Sequence, residues 1–196
     1  MMKPVLLLAA LCLAAVPAAA QDKAPQQDPG TTNRSGVEPA ATEAKASKAT
    51  RKFMKRAASG NTLEVETSRL ALEKSRQQDI KAFAQTMIDD HTKVGNQMKE
   101  TLQAAGLPAP PDEMTEKHQD TLNKLKEAGG DRFDTEYVAV QIKAHEEAVA
   151  LFSDYGKAGD NQPLKQFAET TLPSLKHHQK MAEELKSKIT TGSATQ

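Results

Sequence analysis

The sequence predicts an all-α protein, a four-helix bundle whose two helical hairpins are joined by a crossover containing a short extra helix. From residue 47 onward, apolar residues recur at the i, i+3, i+4, i+7 spacing of a helix, and no sustained alternation indicates a strand. Clusters of glycine and proline interrupt this spacing at 106–111, 129–130 and 156–163. The chain has 196 residues and 38% are hydrophobic, which is enough for one bundle domain, predicted at 47–190.

The first 20 residues have the composition of a secretory signal peptide. Lys3 precedes an apolar run over 4–16, and three alanines at 18–20 offer small side chains for cleavage before Gln21. The apolar run is short beside the roughly 20 residues of a membrane-spanning helix. We therefore expect cleavage of 1–20, a periplasmic or extracellular location, and no transmembrane anchor in the processed protein.

Two segments flanking the bundle are predicted to be disordered. Residues 21–46 contain Val37 as their only large apolar side chain, so they cannot bury enough surface to offset the entropy of ordering. This stretch is predicted to be a linker, and 191–196 a disordered tail.

Helical stripes and helix breakers predict the individual elements. Long helices are predicted at about 49–75, 79–105, 131–156 and from 163 onward, with the short crossover helix at about 112–128. Gly60 and Asn61 predict a kink in the first helix, and Pro173 predicts a bend in the last one, because proline removes a backbone donor.

Composition and motif content exclude several classes of function. The 26 Lys and Arg residues equal the 26 Asp and Glu residues, so no overall charge indicates a nucleic-acid binder. Cys12 is the only cysteine and lies in the predicted signal peptide, which excludes disulfides and cysteine ligands from the processed protein. The sequence contains no glycine-rich phosphate loop and no serine nucleophile elbow.

Four polar residues fall inside the apolar stripes, one on each long helix. These residues are Glu64, His91, His145 and His178. Their distances along the chain from the two predicted hairpin turns are similar, so the four side chains are expected to meet in one layer. The two other histidines, His118 and His177, lie outside the centres of the stripes and are predicted to be solvated.

Two interpretations satisfy such a buried polar layer. In the first, three imidazoles and one carboxylate bind a divalent transition metal, with zinc, copper and iron as the candidates. In the second, Glu64 pairs with one or two histidines, while Tyr137, Gln141 and Asp90 complete a purely structural hydrogen-bond network. Glu64 also has a local explanation, because residues 61–64 match a capping box at a restarted helix.

A di-iron carboxylate centre is not predicted. Such centres use Glu-x-x-His on two helices of the bundle and a further glutamate on each of the others. Three residues before each candidate histidine stand Ile88, Ile142 and Leu175, and none of these side chains binds iron.

Several motifs recur in order along the chain and carry a family resemblance. They are residues 61–66 with 70–73, 83–92, 133–137 with 145–146, and 172–175 with His178. Over about residues 50–188 the sequence resembles the exported bacterial family called domain of unknown function 4142. The resemblance implies a ferritin-like helical bundle with no established activity. It also places all four candidate site residues on motif positions of the family.

The sequence thus predicts an exported helical-bundle protein of unknown biochemical activity with a candidate metal site in its core. One alternative is a metal-dependent oxidoreductase or a metal-handling protein. Another is an envelope-stress or interaction module that uses the charged helix faces. No substrate or protein partner follows from the residues themselves.

Overall fold

Five α-helices form the part of the chain that the computed structural model describes, residues 46–111 and 113–193. They are α1 (Lys48–Lys74), α2 (Gln78–Ala104), α3 (Glu116–Glu127), α4 (Asp131–Ala158) and α5 (Gln162–Ser193). These residues contain no strand, which confirms the prediction of an all-α protein. The long helices begin and end within a few residues of the predicted positions, whereas α3 begins about a turn later.

Local sequence explains where the helices begin and end. The Ser47 side chain accepts a hydrogen bond from the backbone N–H of Thr50 and caps α1. Thr115 caps α3 in the same way. Gly106 follows α2 with a φ of +63°, a left-handed conformation that glycine adopts without the steric cost of a Cβ atom.

The four long helices pack side by side in the order α1, α2, α5, α4, and every neighbouring pair is antiparallel. Thr50, near the start of α1, contacts Tyr155, near the end of α4, with 2.6 Å between their hydroxyl oxygens. Lys188, near the end of α5, contacts Asp79, at the start of α2. The connection containing α3 therefore returns the chain along the bundle, which confirms the predicted crossover.

Within the described residues, the apolar core consists of two clusters, one in each half of the bundle. The first cluster gathers Phe53, Met98, Leu102, Phe152, Tyr155 and Phe167, among others, near the start of α1. The second gathers Ile80, Phe83, Met87, Phe133, Tyr137 and Leu185, among others, near its end. On each long helix the candidate site residue lies between the positions that enter these two clusters.

Two local predictions differ from the structure. Helix α1 runs without interruption through Gly60, so no helix restarts there and Glu64 lies inside the helix rather than in its first turn. Helix α5 extends to Ser193, beyond the predicted start of the tail at 191. Near this end the Thr190 hydroxyl donates to the carbonyl oxygen of Lys186, one turn earlier in the helix.

The predicted signal peptide, residues 21–45 of the predicted linker, and residues 194–196 of the predicted tail lie outside the described residues. Within the helices that the structure does describe, none combines the length and the hydropathy needed to cross a bilayer.

Candidate metal centre

The four predicted site residues come together in one buried layer across the bundle. Glu64, His91, His145 and His178 are each at most 3% exposed. Each lies on a different long helix, α1, α2, α4 and α5 respectively. The fold thus brings side chains that are up to 114 positions apart in the chain into one site.

The three histidines form a near-equilateral triangle. The ring centroids of His91, His145 and His178 are 5.5 Å apart in all three pairings. One ring nitrogen of each histidine lies within 4.8 Å of a ring nitrogen of the other two. This converging group consists of the three histidines and does not include Glu64. The buried triad can therefore bind a metal ion.

Each histidine is oriented by an oxygen atom on one side of its ring. His91 Nδ1 lies 2.9 Å from Oε2 of Glu64, and His178 Nε2 lies 3.1 Å from Oδ2 of Asp90. His145 Nδ1 lies 2.9 Å from the carbonyl oxygen of Gln141, one turn earlier in α4. Because carboxylate and carbonyl oxygens accept hydrogen bonds, these three contacts assign the proton of each neutral imidazole to the named nitrogen.

The other nitrogen of each ring is buried and has no hydrogen-bond partner. These atoms are Nε2 of His91, Nε2 of His145 and Nδ1 of His178. In the neutral tautomers that the contacts favour, each of these nitrogens carries a lone pair and accepts rather than donates. Three acceptors thus share one site without a donor among the described side chains.

Glu64 supports two of the histidines at once. Its Oε2 atom contacts Nδ1 of His91, and its Oε1 atom lies 3.6 Å from Nδ1 of His145. Asn61, one turn earlier in α1, places its side-chain oxygen 3.2 Å from the same nitrogen of His91. The carboxylate therefore lies on the Nδ1 side of both rings, away from their unpartnered nitrogens.

The pKa values of Glu64, His91 and His178 depart from their ordinary values. Burial pushes the pKa of Glu64 upward, but the nearby imidazoles and the hydrogen bond from His91 outweigh burial and lower it from 4.5 to about 2. Burial likewise opposes charge on His91, yet the Glu64 carboxylate raises the pKa of this histidine above its ordinary value. Burial and the two neighbouring histidines lower the pKa of His178 from 6.5 to about 4.

The family described as "Domain of unknown function (DUF4142)" matches residues 35–185, which is more than half of the sequence. The chain belongs to the DUF4142 family. The match confirms the resemblance seen in the sequence motifs and assigns no activity to the protein.

A solved structure shares the fold of this DUF4142 protein. It is described as the crystal structure of a DUF305 fragment from Deinococcus radiodurans, with 15% sequence identity and a TM-score of 0.64. The alignment covers 73% of the DUF4142 chain and 98% of the fragment. At this identity the likeness shows the helical fold alone. No curated protein matches the sequence.

The remaining histidines of the DUF4142 protein are not part of the converging group. His177 is exposed, as predicted from its position beside the apolar stripe. His118 is half-buried, and its Nδ1 atom lies 2.7 Å from the hydroxyl oxygen of Ser59 in α1, so the prediction that it is solvated was wrong. The reason is that α3 packs against α1, and contacts between separate helices do not appear in a single-helix periodicity.

Most of the predicted structural network is present in the DUF4142 protein. Glu64 pairs with two histidines, Asp90 contacts a third, and Gln141 contributes its backbone carbonyl to His145. Tyr137 departs from that prediction, because its hydroxyl bonds Ser68 and not a histidine. The network is therefore real, and it still leaves one nitrogen of every histidine unpartnered.

Proposed function

We propose that this protein binds a divalent transition metal ion through His91, His145 and His178. The observation that carries the proposal is that three buried histidines converge, and that each has one unpartnered ring nitrogen and one nitrogen that contacts an oxygen. Metal-binding histidines show this second contact almost invariably, because it fixes the tautomer and orients the ring.

The energetics of burial favour a bound metal ion over a layer held by hydrogen bonds alone. A buried polar atom left without a partner costs about 1–3 kcal/mol, and this site contains three such nitrogens within one small volume. A divalent cation accepts all three lone pairs at once. A bound metal ion therefore removes the cost of three unpartnered nitrogens, which the hydrogen bonds of the layer leave in place.

The donor set narrows the choice of metal. Imidazole nitrogens suit zinc, copper and iron, whereas magnesium and calcium favour oxygen ligands. Three protein nitrogens leave at least one coordination position for water or another small ligand in a four-coordinate ion. We assign Glu64 to orienting His91 and His145, because its carboxylate contacts the nitrogens opposite to the proposed ligands.

Cobalt titration of the metal-free full chain tests the proposal. We expect saturable Co²⁺ binding at one site, with visible absorption bands of a low-coordinate ion and displacement by Zn²⁺. Alanine substitution of His91, His145 or His178 is expected to lower the affinity by more than about 100-fold, beyond the loss typical of a hydrogen-bond partner. His177→Ala is the matched control, since this neighbour in α5 is exposed.

Two results would contradict the proposed metal site. One is the absence of saturable binding of Co²⁺, Zn²⁺ and Cu²⁺ to folded wild-type protein. The other is an equal loss of affinity in His177→Ala and His178→Ala. Circular dichroism of every variant distinguishes a lost ligand from a lost fold.

We also propose that the protein is exported from the cytoplasm. The support is the order of Lys3, the apolar run at 4–16 and the alanines at 18–20, which is typical of a cleaved secretory signal. The intact mass of protein isolated from its native host is expected to correspond to a chain beginning near Gln21. A mature protein that retains Met1 would contradict export by signal cleavage.

A further inference from the structure

A cavity of about 620 Å³ lies beside the histidine layer, and we call it the bundle cavity. Its wall includes His91 and Glu64, and exposed residues such as Asn96 also line it, so it opens to solvent. Pockets that hold small organic molecules have volumes of about 300–1,000 Å³. The bundle cavity is therefore large enough for a ligand of this size.

Small residues on three helices create the space. Ala57 and Gly60 of α1, Gly95 of α2, and Ala144 and Ala148 of α4 all line the cavity. A Cβ atom built on Gly60 would meet no heavy atom within 4 Å. A larger side chain at Gly60 would therefore enter the open volume.

The inner wall of the cavity is apolar. Met98, Leu102, Phe152 and Phe167 belong both to the wall and to the first core cluster. Transfer of hydrocarbon from water to such a surface is favourable by an amount proportional to the area buried. The body of a fitting ligand is therefore apolar.

The rim carries positive charge without a matching acid. Arg56 and Lys99 are exposed and line the cavity, and within the described residues neither forms an ion pair. The other rim cations are paired, Lys117 with Glu147 and Arg69 with Glu66.

Arg56 and Lys99 lie at the same level of the bundle. Gly95 of α2 faces Asn61 of α1, and the two helices are antiparallel. Arg56 is five residues before Asn61, and Lys99 is four residues after Gly95, so both lie about 6–8 Å from that contact in the same direction. An anionic group at this end of the cavity therefore faces two uncompensated cations.

We propose that the bundle cavity binds a small organic monoanion with an apolar body, such as a medium-chain carboxylate. The apolar body lies along Met98, Leu102 and Phe152, and the anionic group lies at the rim near Arg56 and Lys99. This inference does not depend on the metal, because none of these contacts involves the unpartnered ring nitrogens.

Calorimetric titration of the metal-free full chain with sodium decanoate, below its micellar concentration, tests the inference. We expect saturable binding, with affinity rising about three- to fourfold for each methylene added from octanoate to decanoate. Decyltrimethylammonium has a comparable apolar body and the opposite charge. It is expected to bind at least about tenfold more weakly, since like charges face each other at the rim.

Two variants test the two halves of the site. Gly60→Leu places a side chain in the open volume and is expected to lower decanoate affinity at least about tenfold. Replacing both Arg56 and Lys99 by Gln is expected to lower it about five- to tenfold, which lies within the range for two exposed charge contacts. Lys52→Gln is the matched control, because Lys52 is an exposed cation of α1 outside the cavity wall.

The absence of saturable decanoate binding to the folded wild type would overturn the inference. Unchanged decanoate affinity in the double glutamine variant, whose substitutions are on the surface, would overturn the placement of the anionic group near Arg56 and Lys99. Equal affinity for decyltrimethylammonium would do the same. Because no metal is present in these titrations, their failure would leave the Co²⁺ result of the proposed metal site unaffected.

Discussion

The Nδ1 atom of His91 lies 2.9 Å from Oε2 of Glu64, and both side chains are 2% exposed. At this burial neither group has water to stabilise its charge, so each depends on the other. The contact raises the pKa of the imidazole and, with the other histidines, lowers that of the carboxyl. It also leaves Nε2 of His91 as the ring nitrogen without a hydrogen-bond partner.

This contact predicts the effect of Glu64→Gln on metal affinity. If Glu64 orients His91 and His145 without binding the metal, the substitution is expected to lower Zn²⁺ affinity by about 10–100-fold. Competition between the protein and a chromophoric chelator measures the change. Glu66→Gln is the control, because Glu66 lies two residues away and pairs with Arg69 at the surface.

The same experiment decides between two roles for Glu64. The sequence predicted it as a fourth ligand, whereas its contacts with Nδ1 of His91 and of His145 favour the orienting role. A loss of affinity in Glu64→Gln as large as that in His91→Ala would make Glu64 a ligand and contradict the orienting role. Unchanged Zn²⁺ affinity in Glu64→Gln would contradict both the ligand role and the orienting role.

Acid is expected to destabilise the metal-free protein from about pH 6.5 downward. The pKa of His178 is 6.5 when unperturbed and about 4 in the folded protein, mainly because of burial. Between these values the unfolded chain takes up a proton that the folded chain does not, so the free energy of unfolding falls as pH falls. The depressed pKa of Glu64 continues this trend from 4.5 to about 2.

His91 does not cancel the effect in this range. Its pKa is raised in the folded state, so its contribution is complete below 6.5 and is lost only when pH rises through the folded value. Urea unfolding at about pH 7 and about pH 5 measures the change. His178→Gln is expected to lose less stability than the wild type over this interval. Equal losses would show that another group causes the acid sensitivity.

The sequence predicted the bundle because the information for helices is local. Apolar spacing predicts α1, α2, α4 and α5 within a few residues, and glycine or proline breaks mark the end of α2, both ends of α4 and the start of α5. The position of Glu64 and the three histidines in one layer was also predicted, from the number of residues between each of them and the nearest hairpin turn. Antiparallel neighbours have the same rise per residue, so equal numbers place two residues at the same height in the bundle. These predictions needed no knowledge of side-chain contacts.

The features that the sequence did not predict depend on contacts between helices. His118 is half-buried because α3 packs on α1, and the ring nitrogen that each triad histidine leaves unpartnered depends on rotamers. The bundle cavity was also missed. Gly60, Gly95 and Ala148 are signals for it, because small residues near a predicted polar layer leave space that larger side chains would fill.

Ser59→Ala is expected to loosen the crossover. The Ser59 hydroxyl accepts a hydrogen bond from the backbone N–H of Thr115 at 2.8 Å and lies 2.7 Å from His118 Nδ1. Since Ser59 is 1% exposed, its removal leaves partners unsatisfied and is expected to lower the free energy of unfolding by about 1–3 kcal/mol. Ser174→Ala, at an exposed position of α5, is expected to change it by less than about 0.5 kcal/mol. Similar values for both variants would contradict this role.

Two glycine substitutions are expected to change stability in opposite directions. Gly60 lies inside α1, its φ is not positive, and a Cβ atom there meets open space. Gly60→Ala is therefore expected to stabilise the protein by about 0.5–1 kcal/mol, because alanine loses less backbone entropy in a helix. Gly106 also has open space around it, but its φ is +63°.

Gly106→Ala is expected to destabilise the protein by about 1–2 kcal/mol, because a Cβ atom is strained in the left-handed conformation after α2. Urea unfolding of both variants beside the wild type measures the two changes. A Cβ atom at either position meets no heavy atom within 4 Å. Opposite signs of the two changes in the free energy of unfolding would therefore be due to backbone conformation and not to packing. Destabilisation by Gly60→Ala would instead mean that the wall of the bundle cavity is closed at this position.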